Sequence, residues 1–318
     1  MSFDRKTLDS RLRGNDTSEV EGLNTLPHRR AIGLMIVAAT LWSIAGVVTR
    51  HLAPSLQTEG RFEITFWRSL FAAVFVGGYL LLVRREGWRP LVAAGWPGLV
   101  SGLMWAVMFI AFMLALTFTT VANTLLVLSL GPLITALLAR AVLGAPIAPR
   151  TWTAIAAATS GILWMAWQAA PATIGGKPLA GMLIAFSVPI ASAINLVTLQ
   201  KTRARFDLVP AVFIGGVISA ALMLPLAVPL QAAPRDLLLL AILGFFQLGL
   251  PCMLMVVAAR SLSAPEVSLL ALLEVVLGPL WAWLGAGEVP AAATLTGGVL
   301  VLGALVLNEA AALRGSRR

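Results

Sequence analysis

The chain has 318 residues, of which 59% are apolar and 12% charged, whereas soluble domains carry about 25% charged residues. With a mean hydropathy of +0.90, a soluble protein would have too few polar side chains to cover its core, but a bilayer solvates apolar side chains directly. The net charge of +9 does not indicate nucleic-acid binding, because the basic residues stand in small groups between apolar runs.

The N-terminal segment, residues 1–30, is predicted to be a disordered cytoplasmic extension. It is polar and mixed in charge, and it shows no apolar periodicity. The apolar core of a signal peptide does not follow its basic residues within the usual distance.

From Ile32 onward, apolar stretches of about 20 residues recur, which is the length that spans ~30 Å of hydrocarbon as a helix. We predict ten membrane helices at 32–50, 63–83, 96–116, 120–143, 151–169, 179–199, 208–229, 237–259, 265–286 and 291–312. The segments between them are short and rich in Gly and Pro, so no soluble domain fits there. The predicted fold is an all-α integral membrane protein.

The basic residues predict the orientation of the spans, since Lys and Arg collect on the cytoplasmic side. Beyond the N-terminal segment, one side of the membrane receives Arg84, Arg85, Arg89, Arg140, Arg150, Lys201, Arg203, Arg205, Arg260, Arg314, Arg317 and Arg318. The other side receives Arg50, Arg61, Lys177 and Arg235. Both termini are therefore predicted to be cytoplasmic, in the inner membrane of a bacterium.

The ten spans divide into a first five-helix repeat at residues 31–170 and a second at 178–312, followed by a basic cytoplasmic tail at 313–318. Because five is odd, the second repeat must run opposite to the first, as in many secondary transporters. One register pairs Leu126, Leu130 and Gly144 with Leu269, Leu273 and Gly287; another pairs 130–133 with the identical 277–280. The sequence leaves both registers open.

Two segments resemble the drug/metabolite transporter superfamily, EamA type. The first runs from Thr119-Thr120-Val121-Ala122-Asn123-Thr124-Leu125-Leu126 to Leu130-Gly131-Pro132. Its counterpart runs from Ser263-Ala264-Pro265-Glu266-Val267-Ser268-Leu269-Leu270 through Leu273-Glu274 and Gly278-Pro279-Leu280-Trp281 to Gly287-Glu288. The chain departs from the family pattern at Val275, where Pro is common, and at Ala145, where Glu is common.

The resemblance covers about residues 31 to 312 and implies transport rather than catalysis. It implies that a small metabolite crosses the membrane by alternating access, most often in export, without ATP hydrolysis, and it does not name the solute. Our leading hypothesis is an amino-acid-like or amphipathic solute. Its expected partners are the solute, the membrane lipid and a coupling proton.

Glu274 is the leading candidate for a functional side chain, because an ionisable group inside a membrane costs ~2.5–3.5 kcal/mol on insertion scales. It lies near the middle of the ninth span. One interpretation is a cavity carboxylate that binds a cationic group or takes up a coupling proton. The other is a hydrogen-bonded Glu that fixes the ninth span against a neighbour.

Three amide side chains within spans four, six and eight are further candidates for binding substrate: Asn123, Asn195 and Gln247. An amide in lipid must either find a partner or face a wet cavity. Each could orient a substrate group or hydrogen-bond between helices, and the sequence does not separate these roles.

Trp42 and Trp105 lie well inside spans one and three, away from the interfacial belts where Trp collects. We interpret them as candidate walls of an apolar cavity, with plain packing as the alternative. Arg68 is predicted to extend to the outer interface as an anchor, with contact to an anionic substrate as the alternative. Glu266 and Glu288, near helix ends, are predicted caps or anchors.

Metal and cofactor sites are not expected. Cys252 stands alone in an apolar run, which indicates a buried thiol, and only His28 and His51 could supply imidazoles. A membrane-embedded enzyme is disfavoured, because the acids outside the spans scatter over both sides of the membrane. A non-transporting scaffold stays open as an alternative, although no soluble signalling domain supports it.

Overall fold

A computed structural model describes residues 26–84, 92–93, 95–118, 124, 127–128, 130–144, 146–168, 178–202, 207–287 and 292–315. The predicted N-terminal extension falls mostly outside these residues. Within them the chain forms helices and no strand, so the predicted all-α class is confirmed.

The first repeat contains five helices. They are α1 (His28–Ser43 continued by Ala45–Thr49), α2 (Arg61–Gly78 continued by a π-helical turn, Tyr79–Val83), α3 (Gly95–Phe118), α4 (Gly131–Leu143) and α5 (Pro149–Gln168). A short helix, Pro54–Thr58, connects α1 to α2.

The second repeat contains five more. They are α6 (Pro178–Thr202), α7 (Val209–Ala227), α8 (Pro234–Ile242, a π-helical segment Leu243–Gly249, then Leu250–Ala258), α9 (Ala264–Ala271 continued by Leu273–Ala286) and α10 (Ala292–Gly315).

The surface of the bundle is apolar, as a lipid-facing surface must be. Seven helices of the described residues are long and apolar enough to cross a bilayer, and α4 and part of α10 are shorter apolar helices. Large apolar side chains point outward, among them Leu82 at 76% exposure and Leu284 at 66%. In water such exposure would drive aggregation, whereas lipid accommodates it.

The packing of the helices has the symmetry of a repeat. Helix α3 packs on α6 and α7, and its counterpart α8 packs on α1 and α2. Likewise α4 packs on α6 while α9 packs on α1, and α2–α7, α4–α9 and α5–α10 each pair with their own counterparts. Exchanging the two halves therefore reproduces the main contacts, which is the arrangement of two interlocked inverted repeats.

The ends and interruptions of α4 and α9 decide between the two possible registers. A turn at Leu130 precedes α4, and Leu272 interrupts α9. Each helix then ends at a glycine in the left-handed region, Gly144 at φ 61° and Gly287 at φ 71°, where glycine escapes the Cβ clash. These features favour the register that pairs Gly144 with Gly287, because the other register would set the turn at Leu130 against the uninterrupted part of α9.

A close approach between α8 and α2 depends on a glycine. A Cβ added to Gly244 would lie 2.4 Å from Cβ of Phe71 and 2.8 Å from the carbonyl oxygen of Arg68. No larger residue fits without moving the backbone of α2. The contact fixes the depth and rotation of Arg68 relative to α8.

Candidate functional site

A cavity of about 150 Å³ lies between the repeats, well above the roughly 10–15 Å³ that one water requires by the same measure. Both halves supply its walls, from α1 to α4 and from α6, α8 and α9. The lining is mostly apolar, with Met108, Phe109, Phe112, Leu128, Leu196 and Met255 among its members. Such a site favours a solute with an apolar body.

The structure brings four of the six residues predicted to bind substrate to this one cavity: Trp42, Trp105, Gln247 and Glu274. Asn195 does not line it, and Asn123 lies outside the described residues. That these side chains bind a solute stays a prediction, but their convergence from four helices gives it a location.

Glu274 enters the cavity at the point where α9 is interrupted. It stands in the first turn of the segment Leu273–Ala286, directly after the turn at Leu272. There the amides of Leu272 and Val275 bond to carbonyls three residues back, as in a 3₁₀ turn. The side chain is half-buried, and within the described residues its carboxylate is not seen to form a hydrogen bond. The Glu274 carboxylate is therefore available to a solute or a proton.

Arg68 faces the cavity, so the prediction that it extends to the outer interface is wrong. Its side chain is only 1% exposed. Nη2 donates to the carbonyl oxygen of Phe109 at 3.0 Å, and Nη1 donates to Oε1 of Gln247 at 3.4 Å. Glu274 attracts the guanidinium electrostatically, although no salt bridge joins the two in the described part of the chain.

The depth of Arg68 in its span does not show which way its side chain points. Arg68 lies seven positions after the first residue of α2, a distance that a long side chain can cover to reach water. The rotation of α2 decided otherwise, since the face that carries Arg68 packs against α3 and α8. The adjacent Ser69 is also buried, and its hydroxyl meets that of Ser219 on α7 at 2.8 Å. Since successive residues of a helix point about 100° apart, two neighbouring faces of α2 are covered by other helices.

Gln247 links the cavity residues of three helices. It lies in the π-helical segment of α8, a wider turn that often marks functional positions. Its Oε1 accepts from Arg68, and its Nε2 donates to the carbonyl oxygen of Trp42 at 3.4 Å. Both bonds are long, so Gln247 can exchange these partners for a solute at little cost.

Asn195 bridges two helices instead. It is fully buried on α6, and its Oδ1 accepts a 2.6 Å hydrogen bond from Ser101 of α3. The contact lies along the α3–α6 pairing, close to Gly102. A substrate-binding role for Asn195 stays a prediction.

Polar contacts also join the two repeats near both ends of α2. At the end where α2 finishes, Asp207 forms salt bridges with Arg84 and with Arg260, the latter at 2.6 Å. At the opposite end, Glu63 accepts the backbone amides of Gln231 and Ala232 at 2.8 to 3.0 Å. Each set joins the first repeat to the second, above and below the cavity. Glu63 and Asp207 are among the acids whose scatter over both sides of the membrane disfavours an enzyme, and the sequence alone does not indicate these contacts.

Two smaller predictions are confirmed. Glu266 forms a capping box with Ser263 at the start of α9, each side chain bonding to the other's backbone. Cys252 is a buried free thiol. Glu288 lies outside the described residues.

Comparisons with known proteins agree with this architecture. The model of the EamA-like transporter family matches the chain twice, over residues 29–167 and 179–309. One solved structure, described only as the crystal structure of a protein, aligns with a TM-score of 0.73 at 19% identity, covering 89% of this chain and 98% of that one. At this identity the likeness shows the fold. No curated protein sequence matches the chain.

Proposed function

The chain belongs to the EamA-like transporter family and is therefore a multi-pass membrane transporter of the drug/metabolite type; we propose that it exports a small amphipathic, amino-acid-like metabolite by alternating access, in exchange for a proton. In this proposal the protein lies in a bacterial inner membrane with both termini in the cytoplasm. The excess of Lys and Arg on the side of the termini supports that orientation.

The observation that carries the proposal is the cavity between the repeats and its single described carboxylate. Its walls come from both halves, so a rocking motion of one half against the other would open it to alternate sides. The apolar lining suits the body of an amphipathic solute, while Glu274, Gln247 and Arg68 supply the few polar groups that orient one.

Glu274 is the proposed proton carrier. A carboxylate in an apolar cavity changes readily between charged and neutral forms, since burial disfavours its charge and a cation restores it. When a solute amine occupies the cavity, it replaces the proton as the partner of Glu274. Release of the solute on the outer side then lets a proton bind to Glu274, and the protonated protein returns to the inward-facing state.

In this proposal two sets of contacts act as gates on either side of the cavity. They are the salt bridges of Asp207 at one end of α2 and the contacts of Glu63 at the other. Both sets connect the repeats, so alternate release of one and then the other would expose the cavity to one side at a time.

The proposal is tested with purified protein in two steps. Thermal unfolding in the presence of amino acids, their amides and aromatic amines selects solutes that stabilise the folded state by mass action. Selected solutes are then followed in proteoliposomes and in everted membrane vesicles under an imposed pH gradient.

We expect one chemical class to move, driven by the gradient, and to accumulate in the everted vesicles, which report export. If no solute moves faster than in protein-free vesicles under either direction of the gradient, the proposal fails. Solute flux that does not depend on the pH gradient would support transport and contradict coupling to a proton.

A further inference from the structure

The cavity wall contains two buried hydrogen-bond donors without a partner among the described residues. They are Nε of Arg68 and Nε1 of Trp105. The side chains are 1% and 3% exposed, and both line the cavity. A buried donor left unpaired is destabilising, so two such donors among the lining residues indicate a ligand that supplies acceptors.

The two donors come from neighbouring helices that are tied together. Arg68 on α2 donates through Nη2 to the carbonyl oxygen of Phe109 on α3. Phe109 is one turn from Trp105, and the two rings are 5.6 Å apart. The guanidinium is thus held against α3 one turn from the residue that carries the indole N–H. Its two Nη atoms already have protein partners, and its Nε remains for a ligand.

The chemistry of the wall selects a carboxylate among possible acceptors. A guanidinium and an indole N–H are donors only, and a charged acceptor bonds to them about twice as strongly as a neutral one. A doubly charged phosphate would have to lose more hydration in an apolar cavity with one cation. A singly charged carboxylate balances Arg68 and leaves Glu274 for the amine or the proton.

We propose that Arg68 and Trp105 form a carboxylate-binding subsite in the central cavity, which holds the acidic end of the transported solute. The inference rests on the proposed function, and it adds the orientation of the solute and the residues that select its acid group. In this orientation the apolar body of the solute lies along Phe112 and Leu128 of the lining.

The test compares matched probes that share one apolar body. They are L-phenylalanine, L-phenylalaninamide, which lacks the carboxylate, and 3-phenylpropionate, which lacks the amine. Binding to the full chain in nanodiscs is measured by calorimetry at neutral pH. We expect both carboxylates to bind, and phenylalanine to bind about tenfold or more tightly than its amide, as for a hydrogen bond to a charged group.

Two variants assign this preference to the two donors. Trp105→Phe keeps the ring and removes the N–H, and it should reduce the acid-over-amide preference about tenfold while binding of the amide changes little. Arg68→Lys keeps the charge, loses Nε and the planar fork, and should reduce the same preference. A general loss of folding would weaken both probes alike, so the ratio isolates the subsite.

Trp164→Phe is the matched control, because that indole N–H bonds to Thr296 on the surface, outside the cavity. Its acid-over-amide ratio should equal that of the wild type. Three outcomes would each overturn the subsite. They are equal binding of the acid and the amide, an unchanged acid-over-amide ratio in Trp105→Phe, and no binding of either carboxylate. Gradient-driven flux of another solute would in those cases still support the proposed function, so the two failures are distinguishable.

Discussion

Helices α4 and α9 occupy equivalent places in the two repeats, and they share their backbone features but not their charge. A turn near the middle of the bundle precedes α4 and another interrupts α9, and each helix ends at a left-handed glycine, Gly144 or Gly287. In the register that these glycines support, Gly131 of α4 corresponds to Glu274 of α9. Both residues line the cavity, and only the second brings a carboxylate.

The two helices therefore share the backbone interruptions of the repeat, whereas the carboxylate proposed to take part in transport occurs in only one of them. In the proposed mechanism, the symmetric interruptions would let both halves move in the same way around one cavity. A second carboxylate at Gly131 would share the site with Glu274, and the two like charges would disfavour each other's ionised form. A single carboxylate can exchange one proton for one solute cation.

The largest effect on transport is expected from removing the carboxylate of Glu274. Glu274→Gln should reduce flux driven by a pH gradient to the level of protein-free vesicles, because the amide neither takes up a proton nor balances a cation. Proteoliposome flux at several pH values measures it, with thermal unfolding as the check on folding. Unchanged flux and pH dependence would remove Glu274 from the mechanism.

Gly131→Ala is the matched control on α4. An added Cβ there would lie 3.5 Å from Oγ of Ser268, an ordinary contact, so the variant should fold and retain the pH dependence. If it lost the pH dependence as fully as Glu274→Gln, the carboxylate could not be what distinguishes the two helices.

A smaller loss of stability is expected where α8 approaches α2. Gly244→Ala should lower the free energy of unfolding by about 1–3 kcal/mol, as overpacking does, because its Cβ meets backbone and Cβ atoms that cannot turn away. Thermal unfolding in detergent measures this.

Gly33→Ala serves as the control for that measurement, since nothing lies within 4 Å of its added Cβ and Ala favours a helix over Gly by about 1 kcal/mol. The control should be as stable as the wild type or more so. Equal stability of Gly244→Ala and Gly33→Ala would argue against the close approach of α8 to α2.

The two glycine caps test whether α4 and α9 are equivalent. Gly144→Ala and Gly287→Ala should each lower stability by about 1–2 kcal/mol, since an L-residue in the left-handed region pays that steric cost. The two losses, measured side by side by thermal unfolding, should be similar. A loss confined to one variant would contradict the paired register.

The smallest expected effect lies at the start of α9. Ser263→Ala should cost about 1 kcal/mol, because it removes the N-cap oxygen that accepts from Glu266. Ser263→Asp should preserve most of that stability. Ser187→Ala, which removes only a bond to the carbonyl of Ile184 in the preceding turn, should be nearly neutral, and a comparable loss there would deny Ser263 a special capping role.

Much of the fold was predictable because its signals are local. The length of each apolar stretch predicted the helices, and the resemblance carried by Leu130-Gly131-Pro132 and Leu273-Glu274 is confirmed by the family match over both halves. Even the capping box of Ser263 and Glu266 is readable from residues three apart. Each of these features depends on neighbouring residues alone.

The site was less predictable, because burial of a polar residue does not say which way it faces. Asn195 and Gln247 looked alike in the sequence, yet one bridges α6 to α3 and the other lines the cavity. Arg68 was expected at the interface and instead lies in the cavity wall, where α2 meets α3 and α8. The difference comes from the rotation of each helix against partners that are distant in sequence.

By itself, the sequence determined that this chain is a membrane protein built of two groups of five helices. It also determined that one carboxylate lies near the middle of the ninth span. These properties follow from local hydropathy and helix length, because a helix must span the hydrocarbon layer and satisfy its backbone hydrogen bonds within it. Only the tertiary structure decided that Glu274, Gln247, Trp42, Trp105 and Arg68 meet at one cavity. That meeting depends on close contacts such as Gly244 against α2, which set how far each helix is turned and which of its faces the cavity receives.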